Sequence, residues 1–146
     1  MTTTPTDLVL TRRFAAPIED VWASVTEPDR TARWFGRWEG EGRPGATITV
    51  TLGFEDGSPA AEMTIVACTP PRHLELRATD EAGMWHLELE LRADGDEVEL
   101  VFTHHLEAGT DPGSVRAGWE YYLDNLVAAR AGAPLPSFDD YWPPKP

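Results

Sequence analysis

Alternating apolar and polar residues dominate the middle of the chain and predict an antiparallel sheet. Between Ala46 and Leu52, apolar side chains alternate with threonines, which is typical of a strand with one buried face. Between Ala60 and Thr69, the same alternation places Ala61, Met63, Ile65 and Ala67 on one face. The predicted strands span residues 8–14, 46–52, 60–69 and 73–78, followed by the two arms of a hairpin between 85 and 104.

The hairpin pattern allows a prediction of register. Asp94-Gly95 is a strong signal for a two-residue turn, and we take these two as its central residues. The inward pairs are then Leu91 with Val98, Leu89 with Leu100, Leu87 with Phe102, and Trp85 with His104. On the outward face, His86 lies opposite Thr103 and Glu90 opposite Glu99. A slip of one residue would bury the carboxylates, so we expect the register to be well specified.

Helical periodicity appears twice. After the first strand, Ile18, Val21, Trp22 and Val25 form one apolar stripe, which predicts a short helix beginning near Pro17. A second short helix is predicted from Thr26-Glu27-Pro28 to Trp34-Phe35, ending at Gly36. Residues 36–45 are rich in glycine and charge and are predicted to form a loop.

A long helix is predicted to close the domain, with Asp111 as its cap and Gly132 at its end. Gly118 lies inside this helix, where glycine costs close to 1 kcal/mol relative to alanine. Close approach of another element or of a ligand would explain it. The apolar stripe of the helix consists of Val115, Trp119, Tyr122, Leu123, Leu126 and Val127.

These elements predict an α+β fold of the helix-grip type. A curved antiparallel sheet of about six strands wraps around the long C-terminal helix, with two short helices after strand 1. We expect a single domain over residues 1–146, with a core at about 8–132. The tail at 133–146 is rich in proline and carries Phe138, Tyr141 and Trp142, which we expect to dock on the domain's own surface or to contact a partner.

Charge and composition exclude several classes of partner. The formal net charge is −13, so the average surface repels phosphate backbones and anionic lipid headgroups. No apolar run is long enough to span a membrane, and the N-terminus does not have the pattern of a secretory signal. Cys68 is the only cysteine, which fits a reducing cytoplasm. We therefore expect a cytoplasmic protein that binds neither nucleic acid nor membrane.

Three segments carry a resemblance to a known superfamily: Phe14-Ala-Ala-Pro-Ile-Glu-Asp-Val-Trp22, Trp34-Phe35, and Gly118-Trp-Glu-Tyr-Tyr-Leu-Asp-Asn-Leu126. Over roughly residues 8–131 the chain resembles the START-like or Bet v 1-like (SRPBCC) superfamily, and most closely single-domain bacterial homologues of the activator of Hsp90 ATPase. The resemblance implies a hydrophobic cavity between sheet and long helix, with lipids, sterols, polyketides or phenolics as ligands in different branches. Eukaryotic Hsp90 activators carry an additional N-terminal domain, which we do not expect here.

Motifs for cofactor or metal binding are weak. The segment Gly40-Glu-Gly-Arg-Pro-Gly45 has the glycine spacing of a dinucleotide-binding fingerprint. That fingerprint must be followed by a helix whose N-terminus binds the pyrophosphate, and here a threonine-rich strand follows instead. His104 and His105 are neighbours on a strand and point to opposite faces, so they cannot hold one ion together. His73 and His86 show no matching spacing to other ligands. We expect no metal and no cofactor.

The predicted function is non-catalytic binding of a small apolar or aromatic molecule. His104 is either a satisfied core histidine or a polar hook for the ligand, and a core filled by side chains is the alternative to a cavity. An enzyme of the polyketide cyclase or aromatase kind would depend on His104 with Tyr122, or on Glu62. A protein-interaction module like the Hsp90 activator, and a homodimer, also stay open. The predicted ligand-binding residues are Trp34, Phe35, Ile48, Val50, Met63, Trp85, Leu87, Phe102, His104, Trp119, Tyr122, Leu123 and Leu126.

Overall fold

The computed structural model describes residues 7–54, 57–80, 83–106, 112–138 and 141. Within these residues the elements follow the predicted order of one strand, two short helices, a run of strands and a long helix. They are β1 (Asp7–Phe14), α1 (Ile18–Thr26), α2 (Pro28–Thr31), β2 (Arg37–Glu39), β3 (Thr47–Thr51), β4 (Ala60–Thr69), β5 (His73–Asp80), β6 (Gly83–Asp94), β7 (Glu97–His105) and α3 (Pro112–Ala131). The predicted cap Asp111, the turn residues Glu55 and Asp56, and Trp142 lie outside the described residues.

All strands belong to one curved antiparallel sheet in the order β1-β7-β6-β5-β4-β3-β2. The apolar face of the sheet packs against α3, whose Trp119, Leu123 and Leu126 are buried. A sheet with one apolar face needs an element as long as α3 to cover that face, because the apolar side chains would otherwise be exposed to water. The helix-grip prediction is therefore confirmed.

The sheet gains a seventh strand where the sequence predicted a loop. Strand β2 pairs with β3, so that Trp38 lies opposite Val50, and the Trp38 indole Nε1 donates to the Thr26 carbonyl at 2.8 Å. Gly36 precedes this strand, and a Cβ added there would lie 2.3 Å from the Thr51 carbonyl oxygen. Only glycine allows the chain to approach β3 this closely.

The second short helix is shorter than predicted. Helix α2 ends at Thr31, and the following residues form turns in which the amides of Phe35 and Gly36 both donate to the Thr31 carbonyl. The prediction that the helix reaches Trp34-Phe35 was wrong, because apolar periodicity does not distinguish a helix from successive tight turns. The two aromatic residues are nevertheless brought to the core.

The predicted hairpin register was wrong by two residues. The central turn residues are Gly95 and Asp96, and Asp94 pairs with Glu97. Gly95 has a φ of 64°, the left-handed conformation that primed hairpin turns require at this position. The observed pairs are Leu87 with His104, Leu89 with Phe102, Leu91 with Leu100, Ala93 with Val98, Glu88 with Thr103 and Glu90 with Val101, while Trp85 pairs with Ala78 of β5. Because side chains alternate with a period of two, the predicted inward and outward faces are unchanged.

Strand β4 contains an irregularity that changes which side chains face the core. The pairing with β5 shifts between Ile65 and Ala67, so that Cys68 lies opposite Leu74 and Ala67 opposite Glu75. An extra residue of this kind reverses the alternation beyond it. The prediction that Ala67 continues the inward row of Met63 and Ile65 was therefore wrong, and Cys68 takes that place.

Helix α3 ends where predicted, and its apolar stripe differs at two positions. Gly132 has a φ of 68°, and the Ala133 amide donates to the Ala128 carbonyl at 2.9 Å, a glycine-terminated helix end. Val127 is 38% exposed, so its place in the buried stripe was wrong. Tyr121 is buried instead, because Phe138 and Tyr141 of the tail pack on its ring at centroid distances of 5.2 and 5.6 Å.

Candidate functional site

Aromatic side chains from the sheet, the α2–β2 connection and α3 meet in the middle of the domain. Trp119 of α3 is 6% exposed, and its ring lies 4.5 Å from Phe102 of β7 and 5.7 Å from Phe35. Phe35 also meets Tyr122 edge-on at 5.0 Å. The sheet and the Trp119 side of α3 therefore face each other, as the alternation and the helical stripe together predicted.

An inner cavity of about 160 Å³ lies between the sheet, the short helices and α3. Its wall is almost entirely apolar because the inward rows of β3 to β7 supply most of it. The lining residues are Val25, Thr26, Thr31, Trp34, Phe35, Gly36, Trp38, Gly42, Ile48, Val50, Met63, Ile65, Cys68, Leu74, Leu76, Leu87, Glu88, Leu89, Phe102, Trp119 and Leu123.

A helix-side cavity of about 310 Å³ adjoins the inner one, nearer the first half of α3. Phe35, Met63 and Trp119 line both spaces and form the partition between them. A Cβ added to Gly118 would meet nothing within 4 Å, so the explanation that another element of the protein approaches this glycine was wrong. The lining residues are Phe35, Leu52, Pro59, Ala60, Ala61, Met63, Ala78, Trp85, Val115, Gly118, Trp119 and Tyr122.

Eleven of the predicted ligand-binding residues lie on these walls. Nine of them line the inner cavity, namely Trp34, Phe35, Ile48, Val50, Met63, Leu87, Phe102, Trp119 and Leu123, and Trp85 and Tyr122 line the helix-side cavity. Leu126 lies instead beside a polar cleft between α1 and α3, together with Asp20, Ser24 and Arg130. His104 is packed within the aromatic cluster. Whether any of these residues contacts a ligand stays a prediction.

Several wall residues were missed by the sequence analysis. Leu74, Leu76 and Leu89 alternate with charged residues on β5 and β6, so the same periodicity that selected Leu87 would have found them. Cys68 could not be found in this way, because the irregularity in β4 turns it inward against the alternation. Trp38 belongs to the strand that was predicted to be a loop.

His104 is a buried histidine whose Nδ1 has a hydrogen-bond partner inside the protein. It is 4% exposed, its Nδ1 accepts a hydrogen bond from Trp119 Nε1 at 3.2 Å, and its ring stacks on Trp85 with centroids 5.1 Å apart. Because Nδ1 accepts, the proton of the neutral ring resides on Nε2. Burial lowers the pKa of His104 to about 4, with smaller contributions from the positive charges of His105 and His86. The ring is therefore neutral at physiological pH.

The titratable groups on the inner wall, among the described residues, are Cys68 and Glu88. Burial raises the pKa of the Cys68 thiol, which keeps it protonated and weakly nucleophilic at neutral pH. The carboxylate of Glu88 points to the opposite face of the sheet, where it bonds with His73 and His105. The wall is therefore suited to apolar contacts and supplies no paired acid and base.

The comparisons with known proteins agree with this architecture. The family model described as "Activator of Hsp90 ATPase homolog 1-like protein" matches residues 15–131. The chain belongs to this family. No curated protein has significant sequence similarity to the chain.

Solved structures of similar proteins share the fold. CalU16 from Micromonospora echinospora has a TM-score of 0.72 and 30% identity, over 83% of this chain and 73% of that one. The protein encoded by BPP1335 of Bordetella parapertussis has a TM-score of 0.77 and 26% identity, over 97% of this chain and 87% of the other. DynU16, from the dynemicin biosynthetic locus, has a TM-score of 0.78 and 22% identity, over 90% of this chain, which spans half the length of DynU16.

None of the helices in the described part of the chain could span a membrane. Helix α3 has the required length, but neither it nor any other described helix is apolar enough to cross a bilayer.

Proposed function

We propose that this protein binds a small apolar or aromatic molecule between the sheet and α3. The observation that carries the proposal is the pair of adjoining cavities with apolar walls, divided by Phe35, Met63 and Trp119. Most single domains fill such a space with side chains, since interiors are close-packed. The unfilled volume here lies where helix-grip proteins have room between sheet and helix.

The two volumes set the size of the guest. The inner cavity, at about 160 Å³, resembles the apolar cavities of about 150 Å³ that admit benzene or xenon. The helix-side cavity, at about 310 Å³, reaches the lower end of ordinary ligand sites. A two-ring aromatic molecule would occupy both once Met63 changes rotamer, which its unbranched side chain allows.

The walls favour binding without catalysis. A catalyst needs an acid or base within hydrogen-bond reach of the substrate. His104 is already bonded to Trp119, and Cys68 is held in its thiol form.

Calorimetric titration with 2-naphthol tests the proposal. Wild-type protein is expected to bind one molecule per chain. Gly118→Leu places a branched side chain in the helix-side cavity and is expected to weaken binding at least ten-fold. Val127→Leu is the matched control, because it introduces the same residue on the exposed face of the same helix, and it is expected to bind within two-fold of wild type. Absence of binding by wild type, or equal binding by both variants, would refute a ligand site here.

Native mass spectrometry of freshly purified protein identifies a resident guest. The expected spectrum shows the chain with one added small mass that is lost on unfolding, and Gly118→Leu is expected to lack it. The same spectra report whether two chains associate, so they also test the predicted homodimer. A spectrum of bare chain that 2-naphthol does not change would contradict the proposal.

A further inference from the structure

A cluster of histidine and glutamate side chains lies on the outward face of the sheet, opposite the face that packs against α3. One member, Glu88, also contributes to the wall of the inner cavity. His73 and Glu75 come from β5, His86 and Glu88 from β6, and His105 from β7. All five alternate with inward-facing residues and are half-buried. The proposed apolar ligand does not use them, and their arrangement therefore calls for a separate explanation.

The register of the sheet brings two of the histidines together. Leu87 pairs with His104, so the adjacent residues His86 and His105 lie side by side, with ring centroids 4.4 Å apart. One ligand atom each from His86, Glu88 and His105 lies within 4.8 Å of the others. A tetrahedral Zn²⁺ with bonds of about 2.0–2.2 Å to its ligands holds the ligand atoms roughly 3.4 Å apart. Side-chain rotations that move these atoms by about 1 Å would therefore bring them to the distances that a zinc ion requires.

Carboxylates already hold the imidazole rings in place. Asp7 Oδ1 lies 3.0 Å from His105 Nδ1, while His105 Nε2 faces Glu88. Glu75 Oε2 lies 2.5 Å from His86 Nε2. A carboxylate on the second nitrogen of a metal-binding histidine orients the ring and raises its basicity. In the structure, His105 Nε2 and the Glu88 carboxylate bond directly to each other, and a metal ion would replace this contact.

We propose that His86, Glu88 and His105 bind one divalent transition-metal ion of the Zn²⁺ class on the outer face of the sheet. Two imidazoles and one carboxylate form a ligand set that suits zinc and its borderline neighbours better than magnesium or calcium. A second group, His73, Glu75 and Glu88, shares one carboxylate with the first. It offers only one imidazole, so we assign the ion to the first group.

The test is a titration of the full-length, untagged chain with Zn²⁺ in competition with a chromophoric chelator at pH 7.5. Wild type is expected to bind one ion per chain. His86→Gln and His105→Gln are each expected to weaken binding at least ten-fold. His73→Gln is the matched control, because it also removes a histidine that lies on this face and bonds with Glu88. This variant is expected to bind Zn²⁺ within three-fold of wild type.

Two controls make the result decisive. Circular dichroism in chelator must show that each variant folds like wild type, and Co²⁺ substitution must give the visible absorption of a low-coordinate site, which His86→Gln is expected to lose. Binding by wild type no tighter than by the His86→Gln/His105→Gln double variant would overturn the proposal. Loss of binding in His73→Gln but not in His86→Gln would overturn the assignment of ligands.

Discussion

The protonation state of His104 is fixed by its surroundings rather than by solvent. Trp119 Nε1 donates to its Nδ1, Trp85 covers its ring, and only 4% of the residue is exposed. Protonation of Nδ1 would place two donors against each other inside the core. Acid therefore acts on the packing of Trp119, which is part of the wall between the two cavities.

Acid is expected to destabilise the protein through His104. Its pKa is about 4 when folded and 6.5 when free, so the unfolded state takes up a proton first and stability falls as the pH drops from 6.5 to 4. By pH 4.5 the loss from this residue is about 2–3 kcal/mol. Urea unfolding at pH 7 and 4.5 measures it, with His104→Gln, which keeps an acceptor for Trp119, as the comparison. Equal losses in wild type and variant would contradict the account.

Cys68 reports on access to the inner cavity. Because burial raises its thiol pKa, alkylation by iodoacetamide at pH 8 is expected to be at least ten-fold slower than for a free thiol. The rate should recover in denaturant, and bound 2-naphthol should slow it further. Cys68→Ser supplies the background, since no other cysteine is present. A native rate equal to that of a free thiol would show that the cavity wall is open to solvent.

Elements of this fold follow from the sequence to different degrees. The inward row of β6 and the end of α3 were predictable, because alternation and a glycine at the helix end are local signals. The register of β6 and β7 was not, since both Asp94-Gly95 and Gly95-Asp96 fit a two-residue loop and Gly95 can adopt a positive φ in either one. The observed pairing of Asp94 with Glu97 decides between them. The observed pairing places His86 beside His105, and the expectation of no metal did not consider this pair, because it compared only sequence neighbours and ligand spacing.

Strand β2 depends on a close approach that only Gly36 permits. Gly36→Ala would place a Cβ 2.3 Å from the Thr51 carbonyl oxygen, and backbone atoms cannot yield as side chains do. We expect a loss of about 1–3 kcal/mol in the free energy of unfolding, the usual cost of overpacking. Gly53→Ala is the control, because an added Cβ there meets nothing within 4 Å. Urea unfolding that shows equal stability for the two variants would contradict this role.

For the whole molecule, the layering of helix on sheet was predictable and the unfilled volume was not. Apolar patterns determine which side chains face inward. The volume of a cavity, however, is a small difference between two large volumes: the space that the elements enclose and the volume of the side chains that fill it. The irregularity in β4 and the turn at Trp34-Phe35 both alter that difference, and neither has a clear sequence signal. The family model and the similar solved structures support the fold, and the identity of the ligand has to come from experiment.

Xenon binding tests the central claim most directly. Crystals pressurised with xenon and measured at its anomalous signal reveal dry apolar cavities without assuming the identity of a ligand. The account predicts xenon on both sides of the partition formed by Phe35, Met63 and Trp119, with the helix-side position lost in Gly118→Leu. Side chains packed across both positions, with no xenon in either, would contradict it.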